Sequence, residues 1–217
     1  METLDQNILF LINGSYNSYF DALMSLISGK LIWLPLYVCI LFVLWRRLRV
    51  SWQMLAVLLT IGANFFLTDF CCSHIVRPFF MRLRPVCVEN PIHTMVHAVE
   101  GYRHNSYGFP SCHASNTFGL ATLLFLFFRE RWTSVSMFLW ATVMCYSRVY
   151  LGVHYPGDVF VGALLGVAVG YAVYYASLAL QRRYIKEPVT LTGSSPLVPL
   201  AVALMFALEA VIAGVTL

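Results

Sequence analysis

The sequence predicts an all-α integral membrane protein, a six-helix transmembrane bundle preceded by short helices lying on the membrane surface. Three observations predict it. Hydrophobic residues fill 59% of the 217 positions and charged residues only 11%, where a soluble domain carries about a quarter charged. Apolar residues gather into long runs, approaching the roughly 20 residues that a bilayer crossing needs. Basic residues sit at the ends of those runs, as membrane topology requires. The net charge of +4 is therefore explained without a nucleic-acid partner. The length suits one domain, divided here into interfacial helices over 1–29 and a membrane-embedded bundle over 30–217.

The N-terminus, Met1 to Gln6, has neither the basic start nor the compact apolar stretch of a signal peptide. Insertion then falls to the internal segments. Two short apolar pieces follow, Ile8 to Ile12 and Tyr19 to Ile27. Both are too short to span, and they read as interfacial helices. The first span is Leu31 to Trp45, extended back toward Leu26 and closed by Arg46, Arg47 and Arg49. The second runs from Trp52 to about Ile75 and carries Asn64 and Asp69. An ionisable residue at membrane depth marks function or pairs with a nearby arginine, and both readings of Asp69 stay open.

From Arg77 to Pro110 the chain is polar, a length that implies function or internal structure. The third span is Ser111 to Phe128 and the fourth Trp132 to Tyr146. The fifth, Val159 to Leu180, has glycine at 162, 166 and 170, a spacing that admits a closely packed neighbour. The sixth is Val198 to Leu217, with Glu209 inside it. Trp33, Trp45, Trp52 and Trp132 read as an interfacial belt. Arg82 and Arg103 read as headgroup anchors, and His93 and His97 as a surface pair lacking the further ligands of a metal site. The six cysteines contain no CxxC pair. Four lie in or beside apolar runs, and a disulfide between Cys87 and Cys112 is open but unforced.

Six alternating spans put Arg46–Arg49, Arg129, Arg131, Arg182, Arg183 and Lys186 on one side. The excess of positive charge makes that side cytoplasmic. Three polar clusters then share the opposite face: Arg77 to Pro85, Pro110 to His113, and Ser147 to Asp158. Their inventory suits phosphoryl transfer. Arg77, Arg84 and Arg148 offer planar donors to phosphate oxygens. Ser111 adds a hydroxyl just ahead of a helix, whose first N–H groups favour an anion. Two histidines can divide attack from leaving-group protonation. Asp158 can fix the tautomer of His154.

These residues resemble the signature of the type 2 phosphatidic acid phosphatases, the PAP2 lipid phosphatases, written K-x6-RP, PSGH and SR-x5-H-x3-D. Here it reads Arg77-x6-Arg84-Pro85, Pro110-Ser111-Cys112-His113 and Ser147-Arg148-x5-His154-x3-Asp158. The resemblance implies a metal-independent, cofactor-free phosphatase. His154 would form a phosphohistidine, Asp158 would orient it and His113 would protonate the leaving group. Arg77, Arg84, Ser111, Cys112 and Arg148 would hold the phosphate. It also implies an extracytoplasmic site in a bacterial inner membrane and a lipid substrate, with polyprenyl pyrophosphate and lipid A phosphates ahead of phosphatidylglycerol phosphate and phosphatidate. A lipid phosphotransferase, or a non-catalytic lipid-binding or transport protein, are the competing readings. Arg77 stands where lysine is usual, which keeps the charge and changes the donor geometry. Cys112 stands where glycine is usual, and glycine permits backbone shapes that cysteine resists.

Overall fold

A computed structural model describes residues 2–99, 106–184, 189, 191 and 195–215. Arg103, His104 and Lys186 lie outside the described residues. The described residues form nine α-helices: α1 (Glu2–Asn13), α2 (Ser18–Ser28), α3 (Leu34–Leu48), α4 (Trp52–Phe70), α5 (Arg77–Phe80), α6 (Cys112–Phe128), α7 (Arg131–Tyr150), α8 (Pro156–Tyr184) and α9 (Leu197–Val215). The all-α expectation holds.

A π-helical run, Cys71–Val76, joins α4 to α5, so the second predicted span continues as one helical stretch from Trp52 to Phe80. Such wide turns gather at functional sites. This one sits directly beneath Arg77 and precedes Pro78, which has no N–H for a regular ladder. Three stretches are long and apolar enough to cross a bilayer: Trp52–Phe80, Pro156–Tyr184 and Leu197–Val215. The chain is an integral membrane protein. The fourth predicted span is longer than its apolar run, because α7 continues to Tyr150 and takes Ser147 and Arg148 onto its last turn.

The bundle is built around α6, most of whose residues are buried. Its closest partner is α8, and the glycine stripe is the reason. A Cβ at Gly162 would run into the Ser111 carbonyl, one at Gly166 into that of Ser115, and one at Gly170 would lie 3.0 Å from Thr122 Cβ. Bare backbone on α8 thus lets the starts of α6 and α8 meet, and the Ser111 N–H donates to the Asp158 carbonyl at 2.9 Å. The second and third polar clusters are locked together through main chain before any side chain is counted.

The N-terminal helices close the same end of the bundle. Asn13 donates to the carbonyls of His97 and Tyr150 and accepts from the His97 N–H. Asp21 accepts from the Tyr150 hydroxyl at 2.8 Å and pairs with His97 at 2.9 Å, while Tyr16 stacks on the His97 ring. His97 therefore anchors α2 to the polar loop, and His93 turns instead to the Asn90 carbonyl. The predicted surface pair is a structural element.

Trp33 also departs from the predicted belt. It is fully buried against Trp140 and Phe206, with its indole donating to the Ile27 carbonyl. Trp45, Trp52 and Trp132 are exposed as expected. At the far end of the bundle, Arg47 donates to the Leu191 carbonyl and lies over Phe128. That contact gathers the ends of α3 and α6 where the basic residues cluster.

Candidate active site

The polar loop has structure of its own. Leu83 and Tyr107 form an antiparallel bridge, flanked by the Gly108 N–H donating to the Arg82 carbonyl and the Arg84 N–H to that of Ser106. This pairing lays Arg84 and Gly108 against the turn between α7 and α8. Gly152 shapes that turn with φ +69, a left-handed conformation that glycine adopts without strain. His154 follows at its base, almost wholly buried.

A cavity of about 490 Å³ opens beside it. Arg77, Arg84, Cys112, His113 and His154 line it, so five of the eight predicted residues share one space although their positions span 78 residues of chain. Phe65, Trp140, Met144 and Tyr37 supply apolar wall, and Lys30, Asp69, Ser73 and Asn116 add polar groups. Asp69 thus faces the cavity; among the described residues no arginine pairs with it. Lys30, at the start of the first span, reaches this cavity although nothing local in sequence points it inward.

The other three predicted residues stand behind the cavity wall. Asp158 is fully buried one turn after His154, with its Oδ2 3.5 Å from His154 Nδ1. That is longer than a hydrogen bond. The Tyr155 N–H donates to the same oxygen at 3.0 Å. Arg148, on the last turn of α7, donates to the Ser28 hydroxyl. Ser111 is buried as the N-cap of α6, with its hydroxyl turned to the Ala114 N–H. In that cap the hydroxyl oxygen accepts, and its O–H stays available as a donor.

Burial pushes the His154 imidazole well below the usual histidine range, and the positive charges of Arg84, Arg148 and Arg77 push it the same way. The ring is therefore neutral near neutral pH and keeps a nitrogen lone pair. Arg84 is itself lowered, first by burial and then by Arg77, as expected for buried cations held close together.

Cys112 fits the cradle without glycine's freedom. It is the first residue of α6 and has no positive φ. Its thiol accepts from Arg77 at 2.9 Å and lies 3.4 Å from the Ser73 hydroxyl. It is a free cysteine, with no disulfide to Cys87.

Two contributors escaped the sequence reading. Arg82, predicted as a surface anchor, bonds the Asp158 carboxylate at 2.8 Å. Gly108 lies so close that a Cβ there would sit 2.9 Å from Arg84 Cγ and 3.5 Å from His154 Nδ1. Arg82 falls between the two fixed positions of the first motif, and only a count of arginines per motif could have flagged it.

Comparison with known proteins shows the family. The chain is 40% identical over 184 residues to a lipid A 4'-phosphatase of Bacteroides thetaiotaomicron, covering 84% of this chain and 81% of that one. It is 30% identical to a lipid A 4'-phosphatase of Porphyromonas gingivalis, covering 84% and 76%. Among solved structures, Aquifex aeolicus LpxE superposes with a TM-score of 0.57 at 24% identity, covering 79% of this chain and 95% of that one. The PAP2 superfamily model matches residues 52–182, a range that holds all three motifs from Arg77 to Asp158, and the chain belongs to that superfamily.

Proposed function

We propose that this protein is a membrane phosphatase that removes a phosphate from a lipid of the lipid A type, through a phosphohistidine and without a metal or other cofactor. The observation that carries the reading is His154: a buried, neutral imidazole beside a cavity lined by Arg77 and Arg84, with a carboxylate at its back. A lone pair next to a cluster of cations is what attack on an anionic phosphorus needs.

In this reading the phosphoryl oxygens lie against Arg77 and Arg84, with Arg148 adding charge from behind. The His154 nitrogen remote from Asp158 attacks phosphorus and forms the N–P bond as the bond to the lipid oxygen breaks. His113 protonates that departing oxygen. A water, deprotonated by the same His113, then cleaves the N–P bond and releases inorganic phosphate. Asp158 holds the imidazole and offsets the positive charge that develops on it. The Cys112 thiol occupies part of the donor field of Arg77 and yields it when phosphate enters.

The substrate class rests on two supports: the activity named for the relatives, and apolar wall within the same cavity as the arginines. The reading of the topology adds α3, α6 and α7 to the three long apolar stretches as further crossings, with α1 and α2 at the interface. The basic ends then face the cytoplasm and the cavity opens to the extracytoplasmic side of a bacterial inner membrane.

The test is a phosphate-release panel with purified protein. Bisphosphorylated lipid A, polyprenyl pyrophosphate and phosphatidylglycerol phosphate are each supplied in detergent, with and without EDTA. Lipid A is expected to be the fastest substrate, EDTA to leave the rate unchanged, and acid-labile phosphate to accumulate on wild-type protein but not on His154→Ala. Full activity of His154→Ala overturns the nucleophile, and loss in EDTA overturns the metal-free mechanism.

A further inference from the structure

The predicted interfacial helix α1 reaches the active site. The Asp5 carboxylate accepts from Arg82 at 2.6 Å through Oδ2 and from the Gly157 N–H at 2.7 Å through Oδ1. The other arm of the Arg82 guanidinium donates to Asp158 Oδ1 at 2.8 Å. One planar fork therefore bridges a carboxylate from α1 and a fully buried carboxylate from α8. Its flat face rests on the Tyr155 ring at 3.8 Å, and the Tyr155 hydroxyl in turn accepts from Asn90 at 3.0 Å. The guanidinium has little freedom to rotate.

Gly157 completes the arrangement. A Cβ there would sit 2.9 Å from Asp5 Oδ2, so the backbone ahead of Asp158 is bare where Asp5 arrives. The motif residues themselves supply Asp158 with a single further donor, the Tyr155 N–H.

We propose that Asp5 is a positioning residue of the catalytic site: through the guanidinium of Arg82 and the amide of Gly157 it fixes Asp158, and through Asp158 the ring of His154. The inference rests on the phosphatase reading, with His154 and Asp158 in the roles given above. Asp5 touches no substrate. It acts because a buried carboxylate with a rigid, charged partner keeps one orientation, and small displacements of a catalytic group carry large rate penalties.

The experiment measures kcat and KM for lipid A dephosphorylation in detergent by the full-length protein, alongside thermal unfolding and gel filtration. Asp5→Asn removes the charge that holds Arg82. Arg82→Lys keeps a charge but cannot fork between two carboxylates. Gly157→Ala pushes Asp5 away. Each is expected to lower kcat on the order of ten- to a hundredfold, with KM within about twofold and the folded fraction unchanged. The double variant Asp5→Asn/Arg82→Lys is expected to lose no more than the worse single variant, because both break one linkage.

Wild-type kcat in Asp5→Asn overturns the inference, as does a double variant whose losses multiply, or a loss that tracks the unfolded fraction. Should Asp5→Asn not fold, Arg82→Lys decides: retained kcat overturns the inference. A wild type that releases no phosphate from any lipid overturns the phosphatase reading instead, so the two failures are distinct.

Discussion

Gly166→Ala tests whether the catalytic geometry is set by the approach of two helix backbones. The added Cβ would run into the Ser115 carbonyl and lie 2.9 Å from Gly119 N. Those atoms are main chain and cannot swing aside. Restoring ordinary contact at about 3.5 Å separates α6 from α8 by on the order of 1 Å. Overpacking of this kind costs about 1–3 kcal/mol of stability. The effect on activity is larger than that cost implies. Gly166 lies eight residues along α8 from Asp158, about 12 Å, and the shared end of the two helices carries the Ser111–Asp158 main-chain bond. Displacing His113 on α6 from His154 by even a fraction of that distance is expected to lower kcat on the order of a hundredfold. Gly62→Ala is the control, since a Cβ there meets nothing within 4 Å. Phosphate release and thermal unfolding of the two variants give the comparison. Gly166→Ala with wild-type kcat and an unchanged unfolding temperature would refute the view that this stripe sets the site.

Gly108→Ala is expected to cut activity at least tenfold with little loss of folded protein, because its Cβ would intrude between Arg84 and His154; wild-type kcat would exclude the close approach. The pH profile tests the electrostatics. His154 is held below its ordinary value, so its neutral, attacking form persists as pH falls through the usual histidine range of about 6.5. After burial, Arg84 is the leading cause. Arg84→Gln raises the His154 value and should move the acid limb of kcat/KM to higher pH; an unmoved or lowered limb contradicts this. Orientation is checked with a Met95→Cys protein freed of its other accessible cysteines. Met95 is 67% exposed, whereas Cys87 is buried and makes a poor reporter. Labelling by an impermeant maleimide in intact cells is expected, and labelling only after lysis would invert the topology.

The residues of the three motifs, their order and their chemistry are all written along the chain, because each motif is local: a dozen residues or fewer with fixed spacing. So are the helices, since long apolar runs bounded by arginines have few folded alternatives in a bilayer. The regular glycines at 162, 166 and 170 announce a close neighbour, although not which helix it is. What sequence could not supply is the direction in which each side chain is used. Arg82 looks like a headgroup anchor, yet it bonds the buried Asp158 carboxylate. Trp33 looks like an interfacial anchor, yet it is core.

Sequence by itself determined that this is a membrane protein with the PAP2 motifs, and it named the histidine, aspartate and arginines to expect at a phosphoryl-transfer site. Tertiary structure decided which groups support them. Asp5 and Asp158 are 153 positions apart, and no spacing rule connects them; Arg82 joins them only because α1 docks across the starts of α8 and of the polar loop. The reason is physical. A motif records the reacting groups and their immediate neighbours along the chain, and these recur at short spacing. The groups that hold them are recruited from wherever the fold brings a backbone within hydrogen-bonding distance, and that proximity does not exist until the bundle has closed.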